Sequence, residues 1–234
     1  MNLSNLDSVA YLWPEMILVA AIVAIFVADL FVRDKEILGN VALLGAALSC
    51  AVAAREFSWD QGWLFNQMIV LDPFAVFFKL LFSLTAFLVV WMSMDSREII
   101  GSQSQGEYYA ILLSAVLGMY FMASAANLLM AYLALEMVSI MSYVLTGYLR
   151  HDRRSGEAAL KYLIYGGVAS GTMIYGMSWI FGLAGSLDFA AINAALHQEG
   201  GNSLAIFIAL ALILVGFGYK IAAVPFHKIG RAHV

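Results

Sequence analysis

Cysteine is almost missing from this chain: Cys50 stands alone among 234 residues. One thiol cannot close an internal disulfide or build a metal site. Proline is nearly as scarce, with three in all. Charged residues make up only 12%. No run of Lys and Arg forms a basic patch, which argues against nucleic-acid binding. The formal net charge of −4 carries little information where most of the surface faces lipid. Hydrophobic residues fill the space instead, at 63%, far above an ordinary soluble domain. They recur as long continuous runs, not alternating ones, which argues against a transmembrane β-barrel. The class is therefore an all-α, polytopic transmembrane helix bundle.

A span needs roughly 20 apolar residues at about 1.5 Å each. About seven runs qualify: 11–32, 37–54, 73–94, 108–123, 127–148, 158–184 and 204–227. The second and fourth are short. The first carries Asp7 ahead of it in place of basic residues, and no small-residue cleavage pattern follows, so it reads as a retained helix. The turn between Ser124 and Asn127 is tight enough to make its two flanking helices antiparallel neighbours. The connections 55–72, 95–107 and 185–203 are too short to fold alone. The last contains "SLDFAAINAALHQEG", whose apolar spacing predicts a short surface helix.

Lys and Arg in the loops set orientation. With the N-terminus outside, the inner loops hold Arg33, Lys35, Arg97, Arg150, Arg153 and Arg154, against Arg55 alone outside. The expected topology is therefore N-terminus out. Trp13, Trp59, Trp63, Trp91 and Trp179 fall near the expected interfaces, as an aromatic belt requires.

Three ionisable residues lie inside late spans: Glu136, Lys161 and Lys220. A charge at the membrane centre costs about 2.5–3.5 kcal/mol on insertion scales, so such residues are paired, wet or neutralised. Glu136 shares a helical face with Tyr132, Ser139 and Tyr143, a polar stripe on an apolar helix. It reads either as a functional carboxylate or as an interhelical hydrogen-bonding residue. Lys161 follows Glu157 at i+4, near the inner end of its span. It reads either as a snorkelling lysine or as part of a polar path continued by Tyr165 and Thr172. The Gly167–Gly171 pair permits close helix packing.

Lys220 lies deep in "VGFGYKIAAVPFH". Pro225 lacks an N–H and crowds the carbonyl of Ile221, so the last helix is expected to be broken near Pro225. Broken helices at membrane depth line cavities or ion sites in transporters, although a plain proline kink gives the same pattern. His227, seven residues beyond Lys220, is a candidate proton relay. Asp29 and Lys79 read as structural, with Asp29 paired to Arg33 at i+4. A carboxylate and amines on consecutive helices, one of them broken, make a set of groups whose proton affinities change when they separate.

The stretches "LWPEMILVAAIVAIFVADLF", "YLALEMVSIMSYVL", "RRSGEAALKYLIYGGVASG" and "GYKIAAVPFH" closely resemble the antiporter-like membrane subunits of the proton-pumping NADH:quinone oxidoreductase, complex I. "YLALEMVSIMSYVL" and "EAALKY" favour the N type over its L and M relatives. The resemblance runs nearly to His227. It implies a proton-translocating subunit of the bacterial inner membrane. Its partners would be the other membrane subunits of complex I and the lipid bilayer. By matching motif, it assigns the proton path to Glu136, Lys161, Lys220 and His227. It implies no cofactor in this chain, and a single cysteine could not hold an ordinary iron–sulfur cluster.

The same resemblance implies a division into N-terminal helices (1–106), an incomplete first antiporter-like repeat (107–227) and a tail (228–234). A whole subunit of this type is about twice as long. "IGRAHV" after Lys228 departs from the family and reads as an artificial tail, so the chain is expected to be a fragment that does not pump by itself. The rival reading is an Mrp-type cation/proton antiporter subunit. A non-transporting membrane scaffold is the third.

Overall fold

The computed structural model describes residues 5–32, 35–96, 105–196 and 203–224. Arg33, Arg97, Pro225, His227 and the 228–234 tail lie outside the described residues. Packing divides the chain into two compact units, Met1–Ala158 and Ala159–Val234.

The first unit opens with a short helix α1 (Asn5–Val9), followed by α2 (Trp13–Phe31), α3 (Glu36–Arg55) and a 3-10 turn (Glu56–Ser58). A hairpin follows, β1 (Gly62–Leu64) and β2 (Ile69–Leu71). Then come α4 (Pro73–Met94), α5 (Gln105–Ala123) and α6 (Leu128–Thr146). Helix starts are set locally. Asp72 caps α4 by accepting from the Ala75 N–H at 2.7 Å, with Pro73 in the first turn. Asn127 caps α6 by accepting from the Met130 N–H at 2.7 Å.

Leu18, Ile25, Leu38, Ala42, Val90, Leu113 and Tyr120 form the core where α2 to α5 meet. The opposite faces are apolar and uncovered by this chain, with Leu30, Phe31, Trp91 and Met92 at 60% exposure or more. That distribution suits lipid on the outside.

Helices α5 and α6 are antiparallel across the expected tight turn. They approach so closely that a Cβ on Gly118 would lie 2.9 Å from Val138 Cγ2 and 3.3 Å from the Ala134 carbonyl oxygen. Gly118→Leu is therefore expected to destabilise the chain by about 1–3 kcal/mol through overpacking. A lowered midpoint in detergent-driven unfolding would show it; an unchanged midpoint would mean the helices can part without cost.

The 55–72 connection is more structured than its length suggested. The hairpin pairs Trp63 with Val70 and Leu64 with Ile69. Phe65, Asn66 and Gln67 at its tip all have positive φ. The Val70 N–H donates to the Ser124 carbonyl at 2.8 Å, and the Ala126 N–H donates to the Met68 carbonyl at 2.9 Å. The α5–α6 turn thus adds a third edge to the hairpin, over a small core of Leu64, Ile69, Leu71 and Val76. Asp29 pairs with Lys35 at 2.7 Å, and the ammonium reaches both the carboxylate and the Asp29 carbonyl; the expected partner Arg33 lies outside the described residues.

The second unit takes up most of α7 (Arg153–Ala184), the short α8 (Phe189–Leu196) and α9 (Ser203–Lys220). The short helix expected in the 185–203 connection is α8. Its first turn follows Asp188, whose N–H donates to Ser186 Oγ at 3.1 Å. Among the described residues, five helices are long and apolar enough to cross a bilayer, α2 to α6; the 204–220 stretch of α9 is apolar but shorter. The other expected span, 158–184, lies within the 32-residue α7.

Candidate functional site

The sequence-derived candidates fall in both units. Glu136 lies in the middle of α6, in the first unit. Ser139 and Tyr143 on its stripe are buried, at 5% and 6% exposure, while Tyr132 and Glu136 are half-buried. Leu133, Ile140 and Val144 are exposed. Helical geometry puts the stripe along the border between the packed face and that apolar face. The Ser139 hydroxyl donates to the Leu135 carbonyl at 2.7 Å, within its own helix. Glu136 is close enough to Tyr132 for the two to interact electrostatically.

Lys161 and Lys220 belong to the second unit, on α7 and α9. A Cβ at Gly176 would lie 2.7 Å from the Ala209 carbonyl, and one at Gly216 would lie 2.9 Å from the Ala169 carbonyl. These two close approaches make α7 and α9 antiparallel, with Met173, Met177, Ala209 and Ile213 buried between them. Continued along both helices, that register sets Lys220 level with Tyr165, one turn from Lys161. The two lysines therefore sit toward the same end of the helix pair. Lys161 is exposed and shares its face with Tyr165 and Val168, whereas Lys220 is half-buried. The expected GxxxG contact is not made: a Cβ at Gly167 or Gly171 would meet nothing within 4 Å, and the close packing passes through Gly176 and Gly216.

Helix α9 ends at Lys220, five residues before the proline expected to break it. The Ala223 N–H donates to the Gly218 carbonyl at 2.8 Å and the Ala222 N–H to the Tyr219 carbonyl at 3.1 Å. Ala222 has φ of +53°. This is a Schellman cap with alanine in the place glycine usually takes. It leaves Lys220 on the last helical turn, where its charge complements the helix dipole. Ala222→Gly is expected to relieve about 1 kcal/mol of left-handed strain. Slower amide exchange at residues 222 and 223 would show the gain, and unchanged exchange would mean the cap holds no strain. His227 lies outside the described residues.

One ionic cluster was not anticipated. Lys79 on α4 is 2% exposed, and its Nζ lies 2.6 Å from Glu15 Oε1 and 3.0 Å from Glu56 Oε2. Glu15 comes from the first turn of α2, and Glu56 follows the last turn of α3. Both carboxylates are likewise 2% exposed. One helix turn deeper, Tyr120 Oη bonds Ser83 Oγ and lies 3.0 Å from Ser49 Oγ, which donates to the Pro14 carbonyl at 2.9 Å. The cluster escaped the sequence reading because its members are 23 to 64 residues apart. A signal was present: Lys79 needs a counter-charge, and Glu15 near the start of the first expected span lies on the same side of the membrane as Glu56 just past the end of the second.

Among known proteins, residues 125–228 match the family described as NADH:quinone oxidoreductase/Mrp antiporter, TM. The chain is 43% identical to NADH-quinone oxidoreductase subunit N 2 of Chloroherpeton thalassium over 218 residues, 92% of this chain and 43% of that protein. It is 40% identical to NAD(P)H-quinone oxidoreductase subunit 2 of Microcystis aeruginosa, covering 93% of this chain and 43% of that one. A chain of the respiratory complex I of Thermus thermophilus superposes with a TM-score of 0.73 at 29% identity, over 92% of this chain and 45% of that chain. A chain of the archaeal membrane-bound sulfane sulfur reductase shares the fold, with a TM-score of 0.78 at 20% identity, over 91% of this chain and 44% of its own. The chain thus spans less than half the length of the curated relatives it matches. It is a multi-pass membrane protein whose residues 125–228 carry the NADH:quinone oxidoreductase/Mrp antiporter membrane domain, and over nearly its whole length it is similar to subunit N sequences.

Proposed function

We propose that this chain is the N-terminal part of a proton-translocating subunit of a bacterial inner-membrane NADH:quinone oxidoreductase. It would work beside the other membrane subunits, coupled to redox chemistry carried by other subunits of the complex. The relatives named for subunit N support the complex; Glu136 supports the role in it. A carboxylate half-buried midway along a membrane-spanning helix, at the head of a stripe with Ser139 and Tyr143, suits proton exchange better than packing. Lys161 and Lys220, toward one end of their helix pair, would be further groups of the proton path, and His227 the onward relay.

The division into N-terminal helices and a first antiporter-like repeat, with 228–234 as an added tail, belongs to the same proposal. The test is Glu136→Gln in the full-length gene. The substituted complex should assemble and reduce quinone while moving far fewer protons per electron pair. Full pumping would sink the assignment. An Mrp-type antiporter subunit is the second reading, because the matched family description covers both kinds. Sodium/proton exchange without NADH oxidation by the full-length protein and its genomic neighbours would favour it.

A further inference from the structure

We propose that Glu15, Glu56 and Lys79 form a binding site for a single exchangeable proton, separate from the Glu136 stripe. The argument begins with charge. Two carboxylates face one ammonium, and all three residues are 2% exposed. If both carboxylates were ionised, the cluster would hold an uncompensated negative charge in an apolar bundle, which is costly.

Among the described residues no second cation is paired with the cluster: Arg55, next to Glu56, is exposed. Tyr120 from α5 interacts electrostatically with Glu15 and with Cys50 from α3, and neither a phenol nor a thiol can be positive. Ser49 and Ser83 are neutral. Toward the hairpin and α6, the neighbours of Val76 and Leu80 on α4 are apolar: Leu64, Ile69, Leu71 and Met130.

The second observation is independent of the count. Lys79 Nζ donates to both oxygens of Glu56, at 3.0 and 3.3 Å. Neither oxygen of Glu15 meets hydrogen-bond geometry with any described residue, although Oε1 is within ion-pair distance of Nζ. Glu15 Oε2 is thus a buried carboxylate oxygen with no hydrogen-bond partner among the described residues, and the cluster holds one more carboxylate than its ammonium can neutralise. One proton held between Glu15 and Glu56 makes the triad neutral. By the Lys and Arg distribution the site lies toward the outer face. The surface pocket of about 410 Å³ lined by Ala10, Tyr11, Ser58, Trp59 and Asp60 opens beside the segments that precede Glu15 and follow Glu56, and it offers a route for exchange.

Infrared spectroscopy of the chain in lipid nanodiscs tests this by counting protonated carboxyl groups at a pH where exposed carboxylates are ionised. In a Glu136→Gln background, which removes the other intramembrane carboxylate, the chain should show one such buried carboxyl band. Glu15→Gln and Glu56→Gln should each abolish it, because the remaining carboxylate pairs with Lys79. Glu15→Gln combined with Lys79→Met should restore one band, from Glu56 without a cation. Absence of the band in that background would overturn the proposal, as would a band that survives both single substitutions. Loss of the band on adding sodium at fixed pH would also overturn it, by making the site one for a metal cation.

Discussion

Lys79→Met should destabilise the first unit by about 3–5 kcal/mol, the cost of leaving buried carboxylates without their cation. The methionine fills most of the lysine's volume, so the loss would come from charge and not from a cavity. Lys79 is buried with Glu15 and Glu56, and its ammonium lies within 3.0 Å of an oxygen from each. The decisive comparison is a double-mutant cycle. Adding Glu15→Gln to Lys79→Met should recover a large part of the loss, since one carboxylate then remains to be neutralised. Denaturant-driven unfolding of all four proteins measures the coupling. Strict additivity would show that the three groups do not share one electrostatic problem.

In the full-length protein, Glu136→Gln should cut redox-driven proton movement by roughly a hundredfold if Glu136 is an obligatory proton carrier, at the low end for removal of a positioned acid–base group. The amide is nearly isosteric and keeps hydrogen-bonding capacity, so assembly should be retained. Ser139→Ala is the control. Its hydroxyl donates to the Leu135 carbonyl within its own helix, and its loss should leave pumping close to normal. Equal losses in the two variants would point to disturbed packing along the stripe. A pumping Glu136→Gln complex with poor assembly would make the residue a bundle tie.

Much of the fold was legible because membrane helices announce themselves through length and apolar content. The spans of α2 to α6, the turn before Asn127 and the small α8 all follow from local pattern. The hairpin did not. Its strands are three residues each, too short for alternation to register, and its tip of Phe65, Asn66 and Gln67 lacks the glycine that marks a tight hairpin turn.

The two kinds of ionic group were legible to different degrees for a similar reason. Glu136 interrupts an apolar helix and is conspicuous alone. Glu15 and Glu56 stand at helix ends, where charge is ordinary, and only their convergence on Lys79 makes them unusual. The end of the last helix was legible from the proline that follows it, but the Schellman cap at Ala222 was not, because it depends on backbone hydrogen bonds that no residue type there advertises.

The edge that Ser124 and Ala126 add to the hairpin has a bearing on biogenesis. During synthesis, Met68 and Val70 leave the ribosome more than fifty residues before the backbone groups that will satisfy them. Until the fourth and fifth spans have been threaded into the bilayer, the hairpin has an open side, and the outer surface of the early helices is unfinished. Completion of that surface therefore reports that α5 and α6 have inserted with the correct polarity. A misoriented α5 would leave the Val70 N–H and the Met68 carbonyl unsatisfied, a visible fault for membrane quality control.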